Sequence, residues 1–213
     1  MTSTLLPGLR TLAATLTAVL LVACGGSAPV VRSQQTGVVN PAKMTRILFF
    51  YQEANLASRQ TAGKGDVTVS VGETGFYQFG EAMVARAPPA FQKTGISVVH
   101  AAVIPPGEWK QVAPKTFGEL GPAALKGATV ITVMPRGGRA RATPNAATVA
   151  MTFEVRAIDA ASAKVIWSGV VDTSTWNGRD FLTKNVQGSR FDQAYADQFL
   201  EAVITTLRTN GLL

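Results

Sequence analysis

The chain has 213 residues, a formal net charge of +7 and 46% apolar residues, while charged residues make up only 15%. This length suits one or two domains, with one favoured, and the apolar share is enough for a sizeable core. A disordered tail and a nucleic-acid-coating protein are excluded, because charged residues are few and the basic ones are scattered singly among acids from Glu53 onward. The positive balance indicates either mild attraction toward anionic surfaces, such as lipid headgroups or a polyanionic cell wall, or a solvated surface with a basic bias.

Residues 1–23 have the pattern of a secretory signal peptide. Arg10 is followed by an apolar or hydroxylic run from Thr11 to Ala23, and no acidic residue occurs before Glu53. The run has 13 residues, and roughly 20 are needed to span a bilayer. No later segment approaches that length, so we expect no transmembrane helix in the mature protein.

The signal ends in Leu21-Val22-Ala23-Cys24, which contains the chain's only cysteine. An aliphatic residue, a free position, a small residue and then cysteine resemble the bacterial lipobox. The resemblance implies that the Cys24 thiol becomes a diacylglyceryl thioether, that the signal is cut before it, and that the new amino terminus is acylated. The alternative is an ordinary signal peptide with a chance cysteine, against which the position of Cys24 directly after the apolar run speaks.

Lipid attachment predicts a membrane address for the protein. Several acyl chains anchor a protein firmly, since each buried CH₂ contributes about 0.8 kcal/mol. In the resembling family, Asp directly after the cysteine often holds the protein at the inner membrane, whereas this chain has Gly25. We therefore expect attachment to the outer membrane through acylated Cys24, on its periplasmic face.

The mature chain is predicted to contain a flexible tether over residues 24–43 and a single domain over residues 44–213. The tether is small and polar and carries two prolines. In the domain, apolar β-rich runs predict strands over Arg46–Tyr51, Ile96–Ile104 and Ala128–Met134, while Gly65–Gly72 suits a short strand or an extended loop. Helical spacing predicts helices over 75–93, where Pro88-Pro89 either end the helix or open a second one, and over 117–125 and 191–209.

Two further strands are predicted as a hairpin over 147–159 and 164–175. Alternation places Met151, Phe153 and Val155 on one face of the first strand, with Glu154 and Arg156 on the other. The order β-α-β-α-β-β-β-α predicts an α/β (mixed α+β) fold, in which helices pack on a mixed sheet in two or three layers.

This hairpin and the order of elements resemble a group of envelope lipoproteins. The group includes the curli secretion-channel lipoprotein, the lipoprotein activators of penicillin-binding proteins, and the amino-terminal domain of the Tol translocation protein. Its hairpin typically has an Asp, a Thr-Gly turn, and then Lys or Glu, Val, a hydrophobic residue, Trp and Ser. Ser162-Ala163 replace the Thr-Gly, and the matching residues are Asp159, Lys164, Val165, Trp167 and Ser168. The resemblance implies a structural hairpin without catalytic chemistry.

No pattern of catalytic, metal-binding or cofactor-binding residues stands out. His100 is the only histidine and lies in a strand-like run, so a half-buried strand histidine is favoured over a catalytic base. Gly63-Lys64-Gly65-Asp66 lacks the spacing of a phosphate-binding loop. We therefore predict no metal, no cofactor and no nucleic-acid partner.

Partner contact is predicted at a basic loop over residues 135–145, which carries Arg136, Arg139 and Arg141, and at Trp109. The arginines suit phosphate or carboxylate groups on lipid, cell wall or a protein, although a solvated loop is the alternative. Trp109 and Trp176 suit interface anchors, or tryptophans that pin loops to the core.

The sequence is compatible with two functions. The first is a non-catalytic binding or assembly factor for an envelope machine, with a protein partner. The second is an envelope hydrolase that uses carboxylates brought together only by the fold, with Glu53, Glu73, Glu81, Glu108 and Asp172 as candidates. A deep cleft with converging acids favours the enzyme, whereas an apolar patch or an open sheet edge favours the binding factor.

Overall fold

The computed structural model describes residues 29–34, 44–53, 60–63, 66–70, 73–107, 109–143, 146–173 and 193–213. The predicted signal peptide, Cys24 and Trp176 lie outside this part of the chain. The elements in chain order are β1 (Val30–Gln34), β2 (Arg46–Gln52), β3 (Gln60–Gly63), β4 (Asp66–Ser70), α1 (Glu73–Gln92), β5 (Ser97–Ile104), α2 (Trp109–Leu120), α3 (Pro122–Leu125), β6 (Thr129–Thr143), β7 (Ala146–Asp159), β8 (Val165–Asp172) and α4 (Gln193–Thr209).

The strands form one eight-stranded mixed sheet, which confirms the predicted mixed α/β fold. The main path runs β1-β8-β7-β6-β2-β5, and the β3–β4 hairpin joins it through β4 and β6. β2 is parallel to both of its neighbours, β5 and β6, while all other described pairs are antiparallel. With a neighbour on each side, β2 is buried from Ile47 to Gln52, as its apolar run predicted.

Helices cover the two faces of the sheet unequally, so the molecule has three layers. On one face, α1 and α4 bury a large core in which Phe153 of β7 meets three rings, with centroids 5.1 to 5.8 Å away: Phe76, Phe79 and Phe199. On the other face, α2 and α3 cover a smaller core around Leu48, Phe50 and Val130. Among the described helices, none is long and apolar enough to cross a membrane.

Helix α1 continues through Pro88 and Pro89, where the sequence suggested an end or a new start. Each proline removes a backbone hydrogen bond, yet the helix extends from Glu73 to Gln92 without a break. Met83, Ala87 and Phe91, on both sides of the prolines, are fully buried in the larger core. This packing maintains one helix across a sequence that favours an interruption.

Strand β1 lies inside the segment that the sequence analysis treated as a tether. Val30–Gln34 pair antiparallel with β8, and Val31 packs against the larger core. The edge of β8 offers the hydrogen-bonding groups that this segment uses, and the β-branched Val30 and Val31 favour a strand. The prediction that these five residues belong to a flexible tether is therefore corrected.

The turn between β7 and β8 explains the hairpin residues noted in the sequence. Asp159 accepts hydrogen bonds from the backbone N–H and the hydroxyl of Ser162, at 2.6 and 2.7 Å. These two bonds, that of the hydroxyl first, hold the pKa of Asp159 below its usual range. Ala163 has a φ of 56°, a left-handed conformation that glycine adopts far more easily. Trp167 is fully buried.

Candidate binding surfaces

The predicted basic loop is a continuation of strand β6, and this prediction is corrected. Arg136 follows a register shift at Pro135, and Arg139 and Arg141 pair with Ala150 and Thr148 of β7. β4 pairs with the same stretch from its other side. Because a neighbouring strand lies on each side, the described part of this segment, up to Thr143, is a strand.

Arg136 belongs to a charged cluster centred on Glu154. Arg136 Nη2 donates to one carboxylate oxygen of Glu154, and Arg156 Nε donates to the other. The Glu154 side chain is only 16% exposed. Burial lowers the pKa of Arg136, and the positive charge of Arg156 adds to this effect. Two guanidinium groups therefore share one carboxylate, which leaves this cluster positive.

The sequence placed Glu154 and Arg156 on the outward face of their strand but did not connect them to Arg136. Their connection depends on the register in which β6 pairs with β7, where Met134 lies opposite Glu154 and Thr132 opposite Arg156. Strand alternation was the available signal, since it fixed the face. Alternation alone could not show that Arg136 of the neighbouring strand pairs with Glu154.

The same face of the sheet extends to the edge strand β1. Arg32 of β1 and Glu154 of β7 both lie opposite Val170 of the intervening strand β8. Val170 is 41% exposed, and these three residues line a groove of about 340 Å³ together with Ser168 and Gly169. Arg32 is exposed and has no carboxylate partner among the residues that the structure describes.

A second candidate site is a cavity of about 640 Å³ at the carboxyl ends of β2 and β5. α1 precedes β5 on one face of the sheet and α2 follows β5 on the other, and such a divergence opens a crevice where ligands bind in α/β sheets. Apolar side chains of Phe50, Ala102 and Leu120 line it together with the exposed Lys115 and Glu119. His100 also lines it, half-buried in β5 with its ring 5.8 Å from that of Phe50, as the structural interpretation of this histidine predicted.

Gln52 lies at the end of this cavity and was missed by the sequence analysis. Its side chain is fully buried, and its Nε2 donates to the carbonyl oxygen of Gly107, a cavity-lining residue. Its Oε1 has no hydrogen-bond partner within the described chain. The sequence signal that could have indicated Gln52 is its position as a polar residue at the end of an apolar strand. Its burial becomes visible only when the sheet is assembled.

The described candidate carboxylates do not all converge on one place: Glu53 and Glu81 both lie near Tyr77, and Asp172 lies elsewhere in the sheet. Glu53 follows β2, and together with Glu81 of α1 it raises the pKa of Tyr77, chiefly through the Tyr77–Glu81 hydrogen bond. Asp172 ends β8, three strand positions from β2, or about 14 Å at the usual strand spacing. The side chain of Glu73 and all of Glu108 lie outside the described part. Among the described residues, no group of three or more His, Cys, Asp and Glu could hold a metal ion.

Trp109 is the first residue of helix α2, whereas the sequence placed it in a loop. The helix runs from Trp109 to Leu120, and a short helix was expected only near 117–125. The position of the Trp109 backbone next to the cavity loop is described, and its side chain is not. Partner contact by Trp109 stays a prediction.

Strand β5 forms the free edge of the sheet opposite β1. It pairs with β2 alone among the described strands, and Val99, at a register irregularity, is 39% exposed. The opposite wall of the cavity is formed by α2, so β5 contributes to both the edge and the cavity. The edge and the pocket are therefore adjacent.

Comparisons with known proteins give structural similarities only. No family model matches the chain, and no curated protein matches it. A solved PelC dodecamer from Paraburkholderia phytofirmans is similar, with 13% identity over 82% of this chain and 93% of that chain and a TM-score of 0.43. A methionine variant of that protein gives 13% identity, coverage of 82% and 94%, and a TM-score of 0.37. At these scores the similarity carries no conclusion about this chain.

Proposed function

We propose that this protein is a lipid-anchored lipoprotein of the bacterial outer membrane that faces the periplasm and acts as a non-catalytic binding or assembly factor for an envelope machine. The anchor is Cys24, which ends the Leu21-Val22-Ala23-Cys24 motif. The partner is a protein of the envelope that contributes an extended segment.

The observation that carries the binding role is the edge of β5, which pairs with β2 alone among the strands that the structure describes. An unpaired edge presents backbone N–H and C=O groups to which another chain can add a strand. In such recognition the backbone bonds give affinity and adjacent pockets select side chains. The cavity of about 640 Å³ beside β5 supplies such a pocket. Phe50 and Leu120 can contact an apolar side chain of the partner, and Lys115 and Glu119 can contact its polar groups.

The test compares the edge with the carboxylates. Val99→Lys places a charge on the edge, which opposes strand addition, while Glu53→Ala and Glu81→Ala remove the only candidate acids that lie near one another among those described. Each variant replaces the native protein in the host at equal abundance, and the envelope is scored by resistance to detergent. We expect Val99→Lys to lose function and the two acid variants to retain it.

The alternative function is an envelope hydrolase. The observation that favours it is the proximity of Glu81 and Glu53 to Tyr77, since the hydrogen bond with Glu81, and to a smaller extent the charge of Glu53, raise the pKa of Tyr77. This alternative takes over if Glu53→Ala or Glu81→Ala abolishes function while Val99→Lys is silent. Reversible unfolding of each purified variant shows whether a loss reflects the surface or the fold.

A further inference from the structure

The distance between the proposed lipid anchor and the sheet is short. Six residue steps separate Cys24 from Val30, the first residue of β1. A fully extended chain covers at most about 3.6 Å per residue, so these steps span no more than roughly 22 Å. Because β1 is hydrogen-bonded to β8 along its length, an acylated Cys24 keeps this edge of the sheet close to the bilayer.

The surface beside this edge is rich in arginine. Arg32 of β1, Arg136 of β6 and Arg156 of β7 lie on the sheet face that carries Glu154 and the exposed Val170. Asp172 lies two residues after Val170 in β8 and therefore on the same face. The described side chains of this face thus include three guanidinium groups and two carboxylates. α1 and α4 pack on the opposite face.

The arginines are arranged to accept a further anion. Arg136 and Arg156 share the single carboxylate of Glu154, and Arg32 is exposed without an acidic partner in the described chain. Guanidinium groups bind phosphate through several N–H donors in a fixed plane. Basic residues beside an anionic leaflet are attracted to it, and the attraction is screened within a Debye length.

We infer that this face, defined by Arg32, Arg136, Arg156 and Val170, lies against the bilayer that carries the anchor and contacts its anionic phosphate headgroups. This inference rests on the proposed lipidation of Cys24 and adds an orientation and a ligand to it. The opposite edge, β5, is five strand positions from β1, or about 24 Å. Because α2 and α3 cover the same face at its β2–β5 end, only the part formed by β1, β8, β7 and Arg136 of β6 reaches the headgroups, and the sheet tilts so that β5 lies away from the membrane, where a periplasmic partner reaches it.

The experiment uses the full chain, processed in its host and reconstituted in vesicles that carry a spin-label quencher at the headgroup level. Acylation removes the Cys24 thiol, so a cysteine introduced elsewhere is the single free thiol and takes a fluorophore. Val170→Cys and Val99→Cys form a matched pair, because both are exposed valines, at 41% and 39%, on strands that lie towards opposite edges of the sheet. We expect strong quenching at position 170 and weak quenching at position 99.

Charge dependence identifies the ligand. Vesicles of phosphatidylcholine are compared with vesicles that also contain phosphatidylglycerol, at low and at high salt. The excess quenching at position 170 should appear with phosphatidylglycerol and decline at high salt. Arg32→Gln should weaken the contact about fivefold, the factor that corresponds to about 1 kcal/mol for one basic residue at an anionic surface. Arg208→Gln, on α4 at the other face, is the matched control and should leave it unchanged.

Each other outcome overturns the inference. Equal quenching at the two positions, or stronger quenching at position 99, excludes the orientation while the anchor stands. Excess quenching at position 170 that is indifferent to phosphatidylglycerol and salt excludes the phosphate contact. If the protein does not float with vesicles and the Cys24 thiol takes the fluorophore, the proposed lipidation is excluded, and this inference with it. Arg32 makes no ion pair within the described chain, so its replacement tests the contact without unpairing Glu154.

Discussion

The indole ring of Trp167 lies against the backbone of Gly169, two residues further along β8. A Cβ atom on Gly169 would come within 2.7 Å of Cη2 and 2.8 Å of Cζ2 of the ring, which is closer than such atoms pack. Trp167 is fully buried in the larger core. The glycine is therefore required by the tryptophan, since its own backbone has no left-handed φ.

Gly169→Ala should destabilise the protein through this contact. Overpacking of a well-packed core typically costs about 1–3 kcal/mol, and we expect a loss of that size in the free energy of unfolding, measured by urea denaturation. Gly137→Ala, in β6, is the matched control, because a Cβ there meets nothing within 4 Å. Equal stability of the Gly169→Ala variant and the native protein would show that the ring moves without cost.

Ala163→Gly should stabilise the β7–β8 turn. Ala163 has the only positive φ among the described non-glycine residues, and a left-handed conformation costs an L-residue about 1–2 kcal/mol. Glycine relieves this strain but loses more backbone entropy on folding, which costs roughly 0.5–1 kcal/mol. The free energy of unfolding should therefore rise by about 0.5 kcal/mol. Ala161→Gly, in the same turn without a positive φ, should instead lower the thermal midpoint.

Asp159 should contribute to the loss of stability in acid. Hydrogen bonds from Ser162 depress its folded-state pKa, so its contribution is present above the unfolded value, about 3.9. The contribution disappears as pH falls through the lower, folded value. Asp159→Asn should therefore lower stability at pH 6 but make little difference at pH 2, as followed by urea midpoints. A constant gap between the two proteins across this range would contradict the assignment.

The chain that begins at Met44 should be less stable than the chain that begins at Ser27. The shorter chain lacks β1, which leaves the edge of β8 unpaired and uncovers the core where Val31 packs. Both proteins should unfold cooperatively in urea, with the lower midpoint for the shorter one. Identical midpoints would restore Met44 as the functional start of the domain.

Cys24 should be the first residue of the mature protein and should carry acyl chains. Mass spectrometry of protein extracted from host membranes should find residues 1–23 absent and lipid on residue 24. Cys24→Ser should abolish both, because the hydroxyl is a poor replacement for the thiol nucleophile. An intact Met1, or an unmodified Cys24 thiol in the native host, would refute the lipoprotein assignment.

Much of the fold followed from local patterns in the sequence. The buried run of β2, the amphipathic stripe of α4 and the alternation of β7 and β8 each report the face that a residue presents to the core. Trp167 and Asp159 were placed in the correct hairpin for the same reason. Such patterns involve residues that are only a few positions apart, so they can be recognised in the sequence without knowledge of the tertiary structure.

The remaining features depend on pairing between distant segments, which only the tertiary structure decided. The residues around β1 are mostly small or polar, and its strand exists because β8 offers an edge that is distant in the sequence: Arg32 and its register partner Val170 are 138 positions apart.

The arginine cluster has the same origin. Arg136 meets Glu154 because β6 and β7 pair in one register, and a shift of a single residue would send every side chain to the other face. Helix α1 likewise crosses Pro88 and Pro89 because the core holds Met83 and Phe91 on either side. Residue patterns along the chain determined which faces are apolar, whereas the partner of each polar side chain was set by contacts that form only when the whole sheet assembles.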